Sequence, residues 1–454
     1  ITARSFDWRR CLTLDEFGMA EMLLSHLLLD FEDMGTLVER AYRGRFENER
    51  LSPLVRAGDA WVLELFRGPT SAFKDVALSM LPQLITKARE QLGITERIVI
   101  LTATSGDTGK AALEGFHDVP GTGIAVFYPD GGVSAVQRAQ MVTQRGDNVH
   151  VTAVRGNFND CQRGEKEAFR DVDAAEYGMR LSSANSINIG RLAPQLIYYF
   201  SAYAQLVSAG NIAVGDPVDF IVPTGNFGDI LAGLYAKLLG LPVGRLVCAS
   251  NVNNVLCDFI RTGRYDARRE FMRTSSPSMD ILVSSNLERL LFDLSGYDGG
   301  KIARLMGDLS GKKRYEIDDA MKAGMQARYW AGCVDEVGVR AEIAKTWAED
   351  HYLMDTHTAV AWRAMEKYRF LTSDETYTVV LSTASPYKFA DSVLAALDDA
   401  QPQGSNPFEL LQKLHADTGM EIPPRMLALE NLPVLHSEVI PADKMELAVV
   451  KNLV

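Results

Sequence analysis

The sequence lacks the features that mark several large classes of protein. Its 454 residues include five cysteines, and no two have the close spacing of a zinc knuckle or a redox motif, so we expect no metal site. Scattered cysteines are typical of a reducing compartment and of ordinary core packing, which predicts a cytoplasmic protein. No apolar run is long enough to cross a bilayer and no signal-peptide pattern opens the chain, so we expect no membrane partner.

Positive charge is also scarce. Lysine and arginine number 47 against 59 aspartates and glutamates, which gives a formal net charge of −12. This balance argues against a nucleic-acid partner, since proteins that bind nucleic acids carry basic patches. It is compatible with an anionic small molecule, because a few cationic side chains and backbone N–H groups can dominate one pocket.

The length is sufficient for two or three domains, and the hydrophobic pattern predicts an α/β protein. Residues 1–57 have helical spacing, with Thr13 and Glu16 placed as a capping box. Beyond them, short apolar runs alternate with helical segments, which is typical of open α/β sheets that bind ligands at the carboxyl ends of their strands. The stretch 398–407 is predicted to be a loop or linker. The predicted strands cover 61–66, 98–101, 124–128, 149–154, 220–222, 246–249 and 377–381.

A single lysine, Lys74, lies where an apolar strand meets a helix, in the sequence Gly-Pro-Thr-Ser-Ala-Phe-Lys-Asp. A lysine–aspartate pair at a helix start is usually a solvated surface pair, and the helix dipole there favours Asp75 over a cation. A lysine that holds a phosphorylated aldehyde as a neutral Schiff base avoids much of that penalty. This stretch therefore suggests cofactor anchoring, with a surface lysine as the alternative.

A glycine-rich turn joins a predicted strand to a predicted helix and comprises Gly225, Asn226, Phe227, Gly228 and Asp229. Backbone N–H groups in such a turn converge on an anion, and the positive end of the helix dipole adds to the attraction. The function implied is a cup for a phosphate. The alternative is a tight turn in which glycine relieves strain, and this motif alone does not decide between the two.

A second turn in the same context is richer in hydroxyl groups and contains Thr104, Ser105, Gly106, Asp107 and Thr108. Hydroxyl and N–H groups at a helix start suit a carboxylate, such as that of an amino acid. Ordinary helix capping by one of these side chains is the alternative.

A polar cluster precedes the apolar helix that follows residue 191. Arg191 could fork onto a phosphate, and Ser183, Ser186 and Asn188 could donate hydrogen bonds to it. The alternative is a polar loop with a surface arginine.

A late strand ends in the sequence Leu-Ser-Thr-Ala-Ser-Pro. Ser382 or Thr383 could place a hydroxyl group under a bound ring, and the alternative is an ordinary exit from a strand into a loop.

These five motifs, in this order, resemble those of threonine synthases of the long bacterial and fungal type. The resemblance covers roughly residues 14–400. That family belongs to the tryptophan-synthase-β-like group, fold type II, of pyridoxal-phosphate enzymes. The resemblance implies two open α/β domains and a helical N-terminal region over 1–57. The large, cofactor-binding domain would comprise 58–101 and 190–454, and the small α/β domain 102–189.

The resemblance also implies roles for the motifs. Lys74 matches the Schiff-base lysine, the turn 225–229 the loop that holds the cofactor phosphate, and Thr383 the hydroxyl residue at the pyridine nitrogen. The turn 104–108 matches the loop that faces the substrate carboxylate and the ring oxygen of the cofactor, with Asp107 assigned to the cofactor. Shorter relatives often have Asn at that position. The candidates for the substrate phosphate are Lys110, Ser183, Asn188 and Arg191, and Ser186 is also assigned to the substrate.

Two positions depart from many relatives. Ser385 replaces a histidine in the late loop, so no histidine there is given a role. Thr356 replaces a proline, and the neighbouring His357 is expected to be a structural residue at a helix start. The usual opening of these proteins, Ala-Pro-Asp-Gly-Gly-Leu, is not found, and the first residue is Ile1, so we expect a short stretch to precede it.

The activity implied by the resemblance is that of a carbon–oxygen lyase acting on phosphates. It would convert O-phospho-L-homoserine and water to L-threonine and phosphate, the last step of threonine biosynthesis, with pyridoxal 5'-phosphate as cofactor. The chemistry is γ-elimination followed by addition of water at Cβ, with the freed Lys74 amine as the main base. The alternatives are a phospholyase that releases a keto acid and a non-catalytic ligand-binding relative. We expect a monomer or a weak homodimer.

Overall fold

A computed structural model of the chain describes residues 5–47, 50–398 and 406–453. The strands are β1 (Leu54–Ala57), β2 (Ala60–Glu64), β3 (Arg97–Ala103), β4 (Thr122–Pro129), β5 (Val149–Arg155), β6 (Met179–Ser183), β7 (Val218–Pro223), β8 (Val243–Ser250), β9 (Arg264–Asp266), β10 (Arg314–Glu316), β11 (Tyr329–Cys333), β12 (Tyr377–Ser382) and β13 (Val439–Pro441). The α-helices are α1 (Trp8–Cys11), α2 (Glu16–Leu27), α3 (Met34–Tyr42), α4 (Lys74–Gln91), α5 (Asp107–Phe116), α6 (Ala135–Val142), α7 (Phe158–Asp171), α8 (Ile189–Leu192), α9 (Leu196–Ser208), α10 (Gly228–Leu238), α11 (Val255–Thr262), α12 (Leu287–Leu294), α13 (Gly299–Lys312), α14 (Asp319–Gln326), α15 (Glu336–Asp350), α16 (Thr356–Thr372), α17 (Ala390–Asp398), α18 (Pro407–Thr418), α19 (Pro424–Leu427) and α20 (Met445–Leu453). Short 3-10 helices cover Ala174–Tyr177, Ala193–Gln195, Pro277–Met279, Pro386–Phe389, Ala428–Asn431 and Ala442–Lys444.

The larger sheet orders its strands β1-β2-β12-β7-β8-β11, and all neighbours are parallel except β1 and β2. Successive residues of its central strand β7 enter different cores. Phe220 and Val222 pack with α2, α3, α9 and α10, whereas Ile221 packs with α15, α16 and α17. Helices therefore cover both faces, which explains why these strands are continuous apolar runs in the sequence.

The smaller sheet is parallel throughout, in the order β13-β5-β4-β3-β6. Helices α5 and α6 cover one face, together with Leu78 and Leu81 of α4. Helices α7 and α20 cover the other face through Cys161 and Val449. Because α4 contributes to the cores of both sheets, the helix that begins at Lys74 joins the two halves of the molecule.

The sheets differ from the predicted domain boundaries in three places. Strand β1 lies within the region predicted to be helical, yet it pairs with β2 in the larger sheet. Strand β3, placed mostly in the large domain by the sequence, is an inner strand of the smaller sheet, and β13 joins that sheet from near the other end of the chain. Hydrophobic pattern locates strands but does not specify long-range partners, so these memberships were not accessible from sequence.

The predicted strands are all present, whereas the predicted capping box at Thr13 is wrong. Helix α2 begins at Glu16, and its cap is Asp15, whose side chain accepts the N–H of Gly18 over 2.8 Å. The Glu16 carboxylate instead bonds to Ser201 of α9. The predicted loop 398–407 falls largely outside the described residues.

In the described part of the chain, no helix is both long enough and apolar enough to span a bilayer. Within the same residues, no group of three or more His, Cys, Asp and Glu side chains is arranged to hold a metal ion.

Candidate active site

A cavity of about 490 Å³ lies where the carboxyl ends of strands from both sheets meet. Strands β3, β6 and β7 reach it at Ala103, Ser183 and Pro223, and Thr383 lines it directly after the end of β12. Ligands of parallel α/β sheets bind at this edge. All five sequence motifs contribute side chains to the lining, so the fold brings together segments that are far apart in the chain.

The loop before Lys74 is fastened to the loop that carries Thr383. Ala72 and Ala384 form an antiparallel bridge, and the N–H of Phe73 donates to the carbonyl oxygen of Thr383 over 2.9 Å. Helix α4 begins at Lys74, whose side chain lines the cavity. The two loops therefore form one continuous wall, with Lys74 and Thr383 next to each other on it.

Asp75 stabilises the turn from which Lys74 projects. Its Oδ2 atom accepts the N–H of Thr70 over 2.8 Å, and its Oδ1 atom accepts the hydroxyl proton of Thr70 over 2.5 Å. Burial raises the pKa of Asp75 to about 6, although the bonds from Thr70 oppose that rise. The first turn of the helix thus uses its acidic residue to bind the loop, while the lysine is directed to the cavity.

Lys74 is buried at the cavity wall, with 7% of its surface exposed. Its Nζ lies 4.8 Å from the centre of the Phe73 ring and 3.6 Å from Oδ2 of Asp107. Burial lowers the pKa of Lys74 to about 8; Asp107 opposes this lowering, and Arg191 and Lys388 add to it. A substantial fraction of the amine is therefore neutral near pH 8, as a nucleophile or a general base requires.

Asp107 contacts a second cation that the motifs did not include. Nζ of Lys388 lies 2.6 Å from Oδ1 of Asp107, and the amide of Gln137 donates to the same oxygen over 2.8 Å. Burial alone would raise the pKa of Asp107, but Lys388 and Lys74 outweigh burial and hold that pKa well below its usual range. Asp107 is therefore an ionised carboxylate shared by two lysines.

The glycine-rich turn opens helix α10 without a side-chain cap in the described structure. Phe227 adopts a left-handed backbone with φ 63°, and its buried ring lies 5.5 Å from that of Tyr329. A Cβ atom on Gly228 would lie 2.8 Å from Oγ of Ser186, so no larger residue fits there without movement. The turn is thus packed against the 183–191 loop, and its helix N-terminus has the backbone geometry and dipole that suit an anion.

Arg191 is a buried cation with unused hydrogen-bonding capacity. Only 2% of its surface is exposed, and its Nε and Nη1 atoms have no hydrogen-bond partner among the described residues. Burial lowers the pKa of Arg191 to about 10, still well above neutrality. Since buried polar groups are nearly always paired, an arginine left in this state at a cavity wall indicates an anionic ligand.

His357 also lines the cavity, but both of its ring nitrogens are engaged. Nδ1 lies 2.7 Å from Oδ2 of Asp355, and Nε2 accepts the N–H of Ser278 over 3.2 Å. Because Nε2 is an acceptor, the ring proton is on Nδ1. Asp355 also caps helix α16 through the N–H groups of His357 and Thr358. This agrees with the structural role expected for His357 at a helix start.

Comparison with known proteins identifies the family of this chain. A family model described as "Threonine synthase, C-terminal" matches residues 358–454. The threonine synthase of Pseudomonas aeruginosa is 42% identical over 366 residues, which cover 80% of this chain and 75% of that protein. The chain belongs to the threonine synthase family. The family resemblance drawn from the five motifs is confirmed.

Solved structures of threonine synthases confirm the fold class as well. The PLP-bound threonine synthase of Brucella melitensis has a TM-score of 0.86 and 34% identity, covering 99% of this chain and 91% of that one. The yeast enzyme has a TM-score of 0.85 and 32% identity, covering 98% and 90%. Human threonine synthase-like 1 is 38% identical over 408 residues, or 86% of this chain, but the chain spans about half of that relative's length, 54%.

Three residues that the family resemblance assigned to ligands do not line the cavity. Lys110 bonds instead to Glu114, 3.0 Å away on the next turn of α5, and to Gln144. The Asn188 side chain caps α8 by accepting the N–H of Gly190 over 3.0 Å. Gly106 has φ 132°, and a Cβ atom there would overlap the side chain of Gln137. These residues therefore serve the local structure of helices and turns.

Two further candidates reach the cavity while serving the fold. Thr104 accepts the N–H groups of Gly106 and Gly109, each over 2.9 Å, and so fixes the start of α5. Asp229 lines the cavity, but its Oδ1 accepts the hydroxyl protons of Tyr198 and Tyr199 over 2.7 and 2.9 Å. Burial raises the pKa of Asp229 to about 6, although the hydrogen bonds from the two tyrosines oppose that rise.

The sequence reasoning missed part of the lining and also Lys388, which contacts Asp107 from behind the cavity wall. Asn185 lies beside Ser186 within a motif that was recognised, so proximity to that motif could have indicated it. Lys388 follows the late motif inside the apolar run Pro-Tyr-Lys-Phe-Ala, and a charge in such a run indicates a buried partner. Helix α7 and the 277–285 segment carry no comparable signal.

Proposed function

We propose that the chain binds pyridoxal 5'-phosphate and converts O-phospho-L-homoserine and water to L-threonine and phosphate. The observation that carries the proposal is Lys74, a buried lysine of lowered pKa at the carboxyl edge of the sheets in a chain of the threonine synthase family. Arg191 in the same cavity supports an anionic substrate, because its Nε and Nη1 atoms have no hydrogen-bond partner in the described part of the chain.

Three features of the cavity fit the cofactor. The Lys74 amine would attach it covalently, the uncapped start of α10 at residues 225–228 would bind its phosphate, and the buried Thr383 would face its ring nitrogen. The close packing of Gly228 on Ser186 supports the assignment of residues 225–228 to the cofactor phosphate. Because Gly228 has no side chain, the backbone of the turn would face the anion. Bound pyridoxal phosphate supplies an electron sink that makes the protons on Cα and Cβ of an amino acid removable.

The substrate needs one site for its carboxylate and one for its phosphate. Ser105 and Thr108, at the start of α5, are proposed for the carboxylate. Arg191 is proposed for the phosphate, together with Ser183 and Ser186 of the same cavity lining, because its Nε and Nη1 atoms can donate together to one anion. Binding at Arg191 would hold the phosphate group of the substrate in one position while its bond to Cγ breaks.

Lys74 is proposed to move the protons of the reaction. Its neutral amine accepts the Cα proton, gives that proton up, and then accepts a Cβ proton, which permits the Cγ–O bond to the phosphate to break. One of these two protons is returned to Cγ, and the other leaves with the phosphate. When water adds at Cβ, the amine accepts the proton that the water releases and returns it to Cα. An amine of pKa about 8 suits this double role, since both of its protonation states are populated near neutral pH.

A turnover assay with O-phospho-L-homoserine tests the proposal. We expect the protein to release threonine and phosphate in equal amounts, and Lys74→Ala to lose about 10²–10⁴-fold or more in rate. Lys87→Ala is the matched control, because Lys87 lies on the same helix and pairs with Asp33 away from the cavity. Release of 2-oxobutyrate would identify a phospholyase instead, and failure to acquire visible absorption with the cofactor would contradict catalysis altogether.

The proposed setting is a cytoplasmic one with a small-molecule substrate, in a monomer or a weak homodimer without nucleic-acid or membrane partners. The acidic net charge of −12 supports the exclusion of nucleic acid. Sedimentation of the protein over a range of concentrations tests the assembly state.

A further inference from the structure

Lys388 is a fully buried lysine whose amine lies behind the cavity wall. None of its surface is exposed, and its Nζ contacts Oδ1 of Asp107 over 2.6 Å and the carbonyl oxygen of Thr70 over 3.1 Å. Its own carbonyl oxygen accepts the hydroxyl proton of Ser134 over 3.0 Å. Burying a charge in this way costs free energy unless the partner geometry is good, so the position requires an explanation.

The Asp107 carboxylate is oriented by its neighbours. Oδ1 receives two donors, the ammonium group of Lys388 and the amide of Gln137 at 2.8 Å. Oδ2 is left to face Nζ of Lys74 at 3.6 Å. Without Lys388, the ion-pair partner that remains for Asp107 in the described structure is Lys74.

We propose that Lys388 is a positioning residue for Lys74. It presents Oδ2 of Asp107 to the Lys74 amine, and it shares the negative charge of Asp107, so that Lys74 is not held as a permanent cation. This inference rests on the proposed function, in which the Lys74 amine must accept protons. Lys388 itself does not line the cavity and touches the reaction only through Asp107.

The charges around Lys74 determine the direction of the effect. The groups that face Lys74 or Asp107 are Arg191 of α8, Asp229 of α10, His357 of α16 and Lys388 of the 3-10 helix after β12. Burial lowers the pKa of Lys74, and Lys388 adds to that lowering while Asp107 opposes it. Replacing Lys388 by a neutral residue removes a positive charge that lowers the pKa of Lys74. It also leaves Lys74 as the remaining lysine partner of the Asp107 carboxylate. Both changes raise the pKa of Lys74.

The experiment compares pH profiles of the cofactor-loaded protein. For Lys388→Met we expect the acidic limb of kcat, and the pH at which the visible absorption of the unliganded protein titrates, to move upward by about one unit. Adding Asp107→Asn removes the anion as well, and we expect the double variant to return both values towards those of the wild type. Lys367→Met is the control, since Lys367 donates to the carbonyl oxygen of Cys333 over 2.8 Å outside the cavity and should leave both values unchanged.

The outcomes separate this inference from the proposed function. A wild-type protein that neither acquires visible absorption nor turns over would overturn both. An active wild type with unshifted limbs in Lys388→Met would overturn the role of Lys388 alone. If Lys388→Met does not fold because Asp107 has lost its closest cation, the double variant is the deciding protein. An acidic limb of kcat within about 0.3 pH units of the wild type would support the role of Lys388, and an upward shift of that limb would overturn it.

Discussion

The carbonyl oxygen of Ser71 accepts the N–H of Ser385 over 3.1 Å, and Ser71 makes this contact from a left-handed backbone with φ 59°. Ser71 is buried, three residues before Lys74, and Ser385 is two residues after Thr383. A strained residue therefore joins the two loops that form the cavity wall. Such strain persists only where surrounding contacts maintain it, and it is common at functional sites.

We predict that Ser71→Val lowers the free energy of unfolding by about 1–3 kcal/mol, because a β-branched residue is poorly accommodated at positive φ. Ser71→Gly should remain within about 1 kcal/mol of the wild type, since glycine adopts this backbone readily. Urea unfolding monitored by fluorescence measures both. A Val variant as stable as the wild type would mean that the backbone here is not held at positive φ.

Arg191→Ala should raise KM for O-phospho-L-homoserine by about 10–100-fold, because the substrate phosphate loses charge-assisted hydrogen bonds. Arg191→Lys should have a smaller effect, since lysine keeps the charge but not the planar fork. Steady-state kinetics on purified protein measure KM and kcat separately. The control is Arg180→Ala, which removes an exposed arginine paired with Glu96. An unchanged KM in Arg191→Ala would refute the proposed phosphate site.

Gly228→Ala should weaken cofactor binding by about tenfold or more, because the new Cβ atom would lie 2.8 Å from Oγ of Ser186 and force the turn away from the 183–191 loop. Titration of the apoprotein with pyridoxal phosphate, followed by visible absorption, gives Kd. Gly307→Ala is the matched control: it lies within helix α13, and a Cβ atom there meets no heavy atom within 4 Å. That variant should keep the wild-type Kd and gain some helix stability.

Glu342 gives a pH-dependent prediction outside the cavity. Burial and the neighbouring carboxylate of Glu366 raise the pKa of Glu342 to about 7, and Lys345 and Arg363 offset part of that rise. Because the folded-state pKa lies above the unfolded value, the folded state holds a proton that the unfolded state has released between about pH 4.5 and 7. The contribution of Glu342 to stability is therefore complete below pH 4.5 and is lost as the pH rises through 7.

Glu342→Gln should consequently become more stable than the wild type as the pH increases, by about 1–2 kcal/mol at pH 8, with the nearby cations screening part of the effect. Denaturant unfolding at pH 5 and pH 8 measures the difference. Glu349→Gln, an exposed position on the same helix, should show no such trend. A stability difference for Glu342→Gln that is constant with pH would exclude a raised pKa.

The parts of the site that sequence could predict are encoded locally. Lys74 and the turn 225–229 follow apolar strands and open helices, and this succession is visible in the residues themselves. The alternation of strands and helices likewise predicted α/β sheets with a ligand site at their carboxyl edge.

The parts that could not be predicted depend on contacts between distant segments. Asn188 has the same polar side chain whether it caps a helix or binds a phosphate, and only the position of Gly190 decides the matter. Lys110 has the same charge in a helix-surface pair as in a ligand site, and Glu114 one turn later was the local indication that it is already paired. The partnership of Asp107 and Lys388 requires the 104–108 turn and the late loop to meet.

The place of β13 in the smaller sheet has a consequence for the synthesis of the chain. Strand β5 is paired with β4 on one side, and among the described residues its other edge pairs with β13 alone, about 290 residues later. At roughly 5–20 residues per second, a ribosome needs about 15–60 s to produce that interval. Unpaired strand edges recruit other chains, so the nascent protein exposes such an edge for this entire period. Aggregation during translation should therefore depend on how quickly β13 is synthesised and pairs with β5.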